Sequence, residues 1–107
     1  MEVVFCYGTL LDPEVQRRVI GRTIPSRPDR LPGYRKGVLD LGGAQYYIAV
    51  RDDQSEIEGG VIAVTAAELR RIDGYEGEEY ERARVTLASG TRAWVYRRPE
   101  KRAGKEG

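Results

Sequence analysis

Two short stretches of this chain hold residue types whose spacing could do chemistry. The first is Tyr7-Gly8-Thr9-Leu10, which follows an apolar run. Glycine lets a backbone approach a ligand closely, and amides freed at the end of a strand can point at an anion such as a carboxylate. Taken alone, the same four residues also make an ordinary strand-to-loop turn. The second is the acidic stretch Asp73-Gly74-Tyr75-Glu76-Gly77-Glu78-Glu79-Tyr80-Glu81-Arg82. Leu69, Ile72 and Glu76 are spaced i, i+3 and i+7, so Glu76 continues the stripe that turns Leu69 and Ile72 towards the core. An inward carboxylate at the negative end of a helix, beside other acidic groups, is expected to have a raised pKa through desolvation and like charge. Such a group can take and return a proton near neutral pH. Glu78, Glu79 and Glu81 are expected to face water. Arg82, amid four glutamates, reads first as half of a structural ion pair, and with Tyr80 it ranks below Glu76 as a site residue.

What is missing narrows the chemistry further. There is no histidine and one cysteine, so neither a Cys/His zinc cluster nor a Ser-His-Asp or Cys-His nucleophile can be built, and no metal site is expected. Proton transfer falls to a carboxylate, a tyrosine or a lysine with a shifted pKa. Cys6 lies in the apolar run and reads as a buried, inert thiol in a reducing compartment. The net charge of +1 gives no field that would steer the chain to nucleic acid or an anionic membrane. With no long apolar segment or signal peptide, a cytoplasmic location is expected.

The elements that must position these residues can be read from pattern. At 107 residues, one domain is expected, over 1–99, with a disordered charged tail over 100–107. The run from Val3 to Tyr7 reads as a buried first strand. Asp12 before Pro13 predicts an N-cap and a helix over 13–20. The Pro-, Arg- and Gly-rich stretch 21–33 reads as loop and extended chain. Strands over 35–41 and 45–51, split by Gly42-Gly43, suggest a hairpin ended by Asp52 and Asp53. A further strand covers 57–64, where Gly59-Gly60 suggests a bulge or a close backbone approach. Thr65 and Glu68 form a capping box, which starts a helix running to about Tyr75. A final hairpin pairs 82–87 with 93–96. About six strands and two short helices make an α+β domain, and curling the sheet into a small mixed β-barrel would protect its edges.

Three stretches, taken in order, resemble the γ-glutamylcyclotransferase-like superfamily, including the plant AIG2-like proteins and the γ-glutamylamine cyclotransferases. The family opens with a strand ending in YGTL, here Val4 to Leu10. Its middle strand has a V-x-G-x-V pattern, here Ile57-Glu58-Gly59-Gly60-Val61. Its helix of the form L-x-x-L-D-x-[YF]-E-G, followed by Y-x-R, is matched by Leu69, Ile72, Asp73, Tyr75, Glu76, Gly77, Tyr80 and Arg82. The resemblance implies a small mixed β-barrel flanked by helices, with Glu76 as general acid/base. It also implies that the backbone of Tyr7, Gly8, Thr9 and Leu10 holds the substrate's α-carboxylate, with Tyr80 as a further binding residue. The implied reaction is cofactor-free cyclisation of a γ-glutamyl amine or amino acid to 5-oxoproline, with release of the amine. Many members place a proline after the aromatic residue aligned with Tyr46 and Tyr47, where this chain has Ile48. The lack of long insertions points to a small amine or amino-acid leaving group.

Two other functions remain open at this stage. One is a non-catalytic ligand-binding domain of the same fold, because a fold does not establish an activity. The other is a nucleic-acid-binding barrel using Arg97, Arg98, Lys101, Arg102 and Lys105 with exposed tyrosines, for which steeply salt-dependent binding would be the sign. No nucleic-acid or membrane partner is expected, only a small γ-glutamyl substrate.

Overall fold

The first strand, β1 (Glu2–Cys6), is buried on both faces, and the rest of the protein is arranged about it. Val4 and Cys6 point to one side, where two helices pack. Phe5 and, just beyond the strand, Tyr7 point to the other, into the hollow of a curled sheet. This double burial accounts for the unbroken apolar run in the sequence. The computed structural model describes residues 1–99, so the tail expected over 100–107 lies outside the described residues.

The sheet also contains β2 (Arg27–Leu41), β3 (Ala44–Val64), β4 (Glu81–Thr86) and β5 (Arg92–Arg97), in the order β2-β3-β1-β5-β4. β1 runs antiparallel to β3 and parallel to β5. A further parallel pairing of Ala49 in β3 with Arg97 in β5 curls the sheet into a half-barrel. Two helices, α1 (Pro13–Val19) and α2 (Ala66–Glu76), flank it, giving the α+β architecture expected, with five strands rather than about six.

Two expected strands are one in the structure. Asp52 and Asp53 were expected to end a strand, but β3 runs on through them. The Asp52 carboxylate accepts from the Gln54 amide at 3.0 Å and the Ser55 hydroxyl at 3.0 Å, so the turn chemistry is spent on a kink inside the strand. Opposite this kink the register shifts between Pro32 and Tyr34, at Gly33, whose φ of 86° is open to glycine. Likewise the expected loop over 21–33 is strand from Arg27 onward. Its prolines are tolerated because β2 is an edge strand, paired among the strands with β3 alone. The β2–β3 hairpin turns through Gly42 and Gly43, both at positive φ, as a two-residue connection demands.

The helix starts are as the sequence predicts. Asp12 caps α1 by accepting from the Glu14 amide at 2.9 Å. Thr65 Oγ1 accepts from the Glu68 amide at 3.1 Å while Glu68 accepts from the Thr65 amide at 2.9 Å, completing the capping box of α2. The glycine pair in β3 marks a close approach, as expected: a Cβ on Gly59 would stand 2.3 Å from the Cys6 carbonyl oxygen and 2.7 Å from the Phe5 ring.

Candidate active site

Where β1 ends, the chain turns at Gly8 into a short 3-10 turn (Thr9–Leu11). The first bonds of that turn run from the amides of Leu11 and Asp12 back to the carbonyls of Gly8 and Thr9. The amides of Gly8, Thr9 and Leu10 therefore precede the bonded part of the turn, as at any helix start. A Cβ on Gly8 would meet no protein atom within 4 Å, so this backbone borders open space. The turn is held from behind by Gln16, the buried polar side chain of α1: its Nε2 donates to the Leu10 carbonyl at 3.0 Å and its Oε1 accepts from the Ile24 amide at 2.8 Å.

Facing this turn is the C-terminal end of α2. The Tyr75 hydroxyl and Thr9 Oγ1 lie 2.6 Å apart, tying the helix end to the turn. The next residue, Glu76, is half-buried and lines a cavity of about 130 Å³ together with Tyr7, Gly8, Thr9, Leu10, Gln45, Tyr46, Tyr47, Tyr80 and Tyr96. That volume is close to the ~150 Å³ of a cavity that accepts one small ring. All the residues singled out as a site, Glu76, Tyr7, Gly8, Thr9, Leu10 and Tyr80, thus border one space.

Burial pushes the Glu76 carboxyl up to about 7. Desolvation accounts for the shift, and the like-charge contribution expected from its acidic neighbours does not enter. Glu78 and Glu79 are exposed, as expected. Glu81 is not simply solvated: it is half-buried and pairs with Arg97 at 2.7 Å. Among the described residues no hydrogen bond or ion pair engages Glu76. Its carboxylate is therefore open to whatever enters the cavity.

The tyrosines differ in role. The Tyr7 hydroxyl donates to the Tyr96 carbonyl and accepts from the Ala49 amide at 2.9 Å, so its polar tip is occupied by the frame, although the residue borders the cavity. The Tyr80 hydroxyl donates to the Tyr47 carbonyl at 2.6 Å, and burial, with Glu76 nearby, pushes its pKa up to about 12. Arg82 stands outside the cavity, paired with Asp73 at 3.0 Å and stacked on the Trp94 ring, as its reading as an ion-pair residue predicts. The same Asp73 oxygen accepts from the Tyr96 hydroxyl. Sequence reasoning missed Tyr96, although a tyrosine in a strand with buried neighbours signals a hydroxyl needing a partner. It missed Gln45 and Gln16 as well, which no local pattern marks. Cys6 also lines the cavity, its thiol pushed up to about 12 by burial and by Glu76, which fits an inert group. Among the described residues, no group of three or more acidic, histidine or cysteine side chains is gathered to hold a metal, and no helix is long and apolar enough to cross a membrane.

Comparison with known proteins gives the family and the fold. Protein AIG2 C of Arabidopsis thaliana is 39% identical over 85 residues, which cover 78% of this chain and 50% of that protein. AIG2-like protein A of the same plant is 37% identical over 85 residues with the same coverage. The chain thus spans about half the length of the curated relatives it matches. The solution structure of an Arabidopsis thaliana protein superposes with a TM-score of 0.77 at 32% identity, over 91% of this chain and 61% of that one. A structure described as a gamma-glutamyl cyclotransferase shares the fold, with a TM-score of 0.70 at 16% identity over 92% of this chain and 67% of that one. The family model for "Gamma-glutamyl cyclotransferase, AIG2-like" matches residues 4–107, and to that family this chain belongs.

Proposed function

We propose that this chain cuts γ-glutamyl amides by making them cyclise, with Glu76 as the group that moves the proton. The observation that carries the reading is a single acidic side chain, raised to about 7 by burial and free of protein partners, on the wall of a small cavity across from the Gly8–Leu10 backbone. A general acid/base works best with a pKa near the working pH, and an unpaired buried carboxylate is costly to keep for structure alone. The amides of Gly8, Thr9 and Leu10 receive the substrate's α-carboxylate, and the glutamyl chain reaches from there to Glu76.

In the proposed reaction the Glu76 carboxylate takes a proton from the substrate's α-ammonium, freeing the nitrogen lone pair. The nitrogen attacks the γ-carbonyl carbon and a C–N bond forms. Glu76 then delivers its proton to the amide nitrogen on the far side of that carbon, whose C–N bond breaks to expel the amine. The new ring nitrogen loses its extra proton through the re-ionised Glu76 to the departing amine, leaving 5-oxoproline and an alkylammonium. Neither water nor a cofactor enters the balance. Because the attack is intramolecular, holding the chain in a ring-like conformation supplies much of the acceleration.

The test is Glu76→Gln, assayed by mass-spectrometric detection of 5-oxoproline on a panel of γ-glutamyl amines, dipeptides and glutathione. The variant should fold and lose roughly a hundredfold or more in rate, because the amide keeps the shape and cannot accept a proton. Wild-type turnover by this variant would refute the mechanism. Ligand binding without any 5-oxoproline from the unaltered protein would favour a non-catalytic binding domain instead.

A further inference from the structure

The cyclisation needs two parts of the chain at a fixed separation: the backbone of Gly8, Thr9 and Leu10, which receives the α-carboxylate, and the Glu76 carboxyl, which moves the proton. They lie on different elements, each with anchors of its own. The turn is fixed from behind, where Gln16 bonds the Leu10 carbonyl and the Ile24 amide. On α2, Glu68 pairs with Arg22 at 2.8 Å and the Arg71 guanidinium donates to the Ile20 carbonyl at 2.9 Å. Further along, Asp73 pairs with Arg82 and accepts from the Tyr96 hydroxyl. None of these bonds runs from the helix to the turn.

Tyr75 supplies that link. Among the described residues, the 2.6 Å contact between its hydroxyl and Thr9 Oγ1 is the one hydrogen bond that joins α2 to the turn. It falls where the spacing matters, since Tyr75 directly precedes Glu76 and Thr9 is the middle one of the three residues whose amides precede the bonded part of the turn. The bond adds little to folding: Thr9 is exposed and Tyr75 is 41% exposed, so water can replace either partner. Its effect falls instead on the distance between the two halves of the site. An intramolecular attack is sensitive to that distance, and a misplacement of about 1 Å can cost about a hundredfold in rate. We propose that Tyr75 is a positioning residue, whose hydroxyl, bonded to Thr9 Oγ1, sets the separation between the backbone that holds the α-carboxylate and the Glu76 carboxyl. Tyr75 does not line the cavity, so it acts through Thr9 and Glu76.

This rests on the cyclisation reading, and four variants keep the two apart. Tyr75→Phe removes one hydroxyl and keeps the ring, Thr9→Val removes the other at nearly the same volume, Thr9→Ser keeps it, and the fourth combines Tyr75→Phe with Thr9→Val. For each, kcat and KM for 5-oxoproline release are measured on the best substrate of the γ-glutamyl panel, with urea unfolding alongside. Tyr75→Phe should lower kcat about tenfold and change KM by less than about twofold, because the groups that bind the substrate are all still present. The midpoint of its pH–rate profile should match the wild type's, since the burial that raises the Glu76 carboxyl is unchanged. Thr9→Val should lose as much and Thr9→Ser should stay near the wild type. The double variant should lose no more than either single one, as for two residues acting through one bond. Unfolding midpoints should hardly move. No 5-oxoproline from the unaltered protein on any member of the panel overturns the cyclisation reading and this inference together. Release by the unaltered protein with wild-type kcat in Tyr75→Phe overturns this inference alone. So do single-variant losses that add in the double variant, or losses no larger than the loss of folded protein.

Discussion

At the scale of single residues, Glu76 was legible because a period is legible: its spacing from Leu69 and Ile72 puts it on the buried stripe of α2, and the structure has it half-buried on the cavity wall. The cause of its altered proton affinity was half legible, since charge repulsion between neighbours depends on where Glu78 and Glu79 point, and both point to water. That cause makes a prediction. The folded state holds the Glu76 proton up to about pH 7, while the unfolded chain releases it near the ordinary value of 4.5. Between those values the folded state binds more protons than the unfolded one, so stability falls as pH rises through the window. A glutamine does not titrate. Urea unfolding of the wild type and of Glu76→Gln should therefore show the variant gaining stability relative to the wild type from about pH 5 to about pH 8. A constant difference would mean that Glu76 is solvated. On the proposed mechanism, activity should rise over the same range as the base form appears.

At the scale of elements, the signals that proved readable are those a few residues can satisfy among themselves. Thr65 and Glu68 exchange backbone bonds three residues apart, and Asp12 with Pro13 does the same work for α1. The unreadable ones depend on what lies beside the element. Whether Pro28 and Pro32 break a strand is decided by β2 lying at the edge, and whether Asp52 ends one is decided by the Gly33 kink across the ladder. Thr65→Ala removes the oxygen that accepts from the Glu68 amide while leaving the Glu68–Arg22 pair in place, so the protein should lose about 1 kcal/mol of unfolding free energy. The capped end of α2 is the far end from Glu76. The rate of 5-oxoproline release per folded molecule should hold, and a matching fall in kcat would show the helix acting as one lever on its last turn.

At the scale of the whole molecule, the core has two compartments divided by β1, one under the helices and one inside the curled sheet. Sequence separation hides how they are joined. Tyr7 read as a substrate residue by position, yet its hydroxyl bridges Ala49, 42 positions away, and Tyr96, 89 positions away, clamping β1 to β3 and β5 where the sheet curls. No local pattern encodes a clamp of that span. Tyr7→Phe keeps the ring and leaves the buried Ala49 amide without this acceptor and the Tyr96 carbonyl without this donor. The cost expected for such unsatisfied groups is about 1–3 kcal/mol, measurable by urea unfolding. Hydrogen exchange at the Ala49 amide should speed up by more than the global loss of stability explains, because the curl opens locally. If Tyr7 serves the frame in this way, KM for the best γ-glutamyl substrate should change less than stability does. If its hydroxyl binds substrate, the order reverses: KM rises sharply while unfolding free energy and Ala49 exchange stay near those of the wild type.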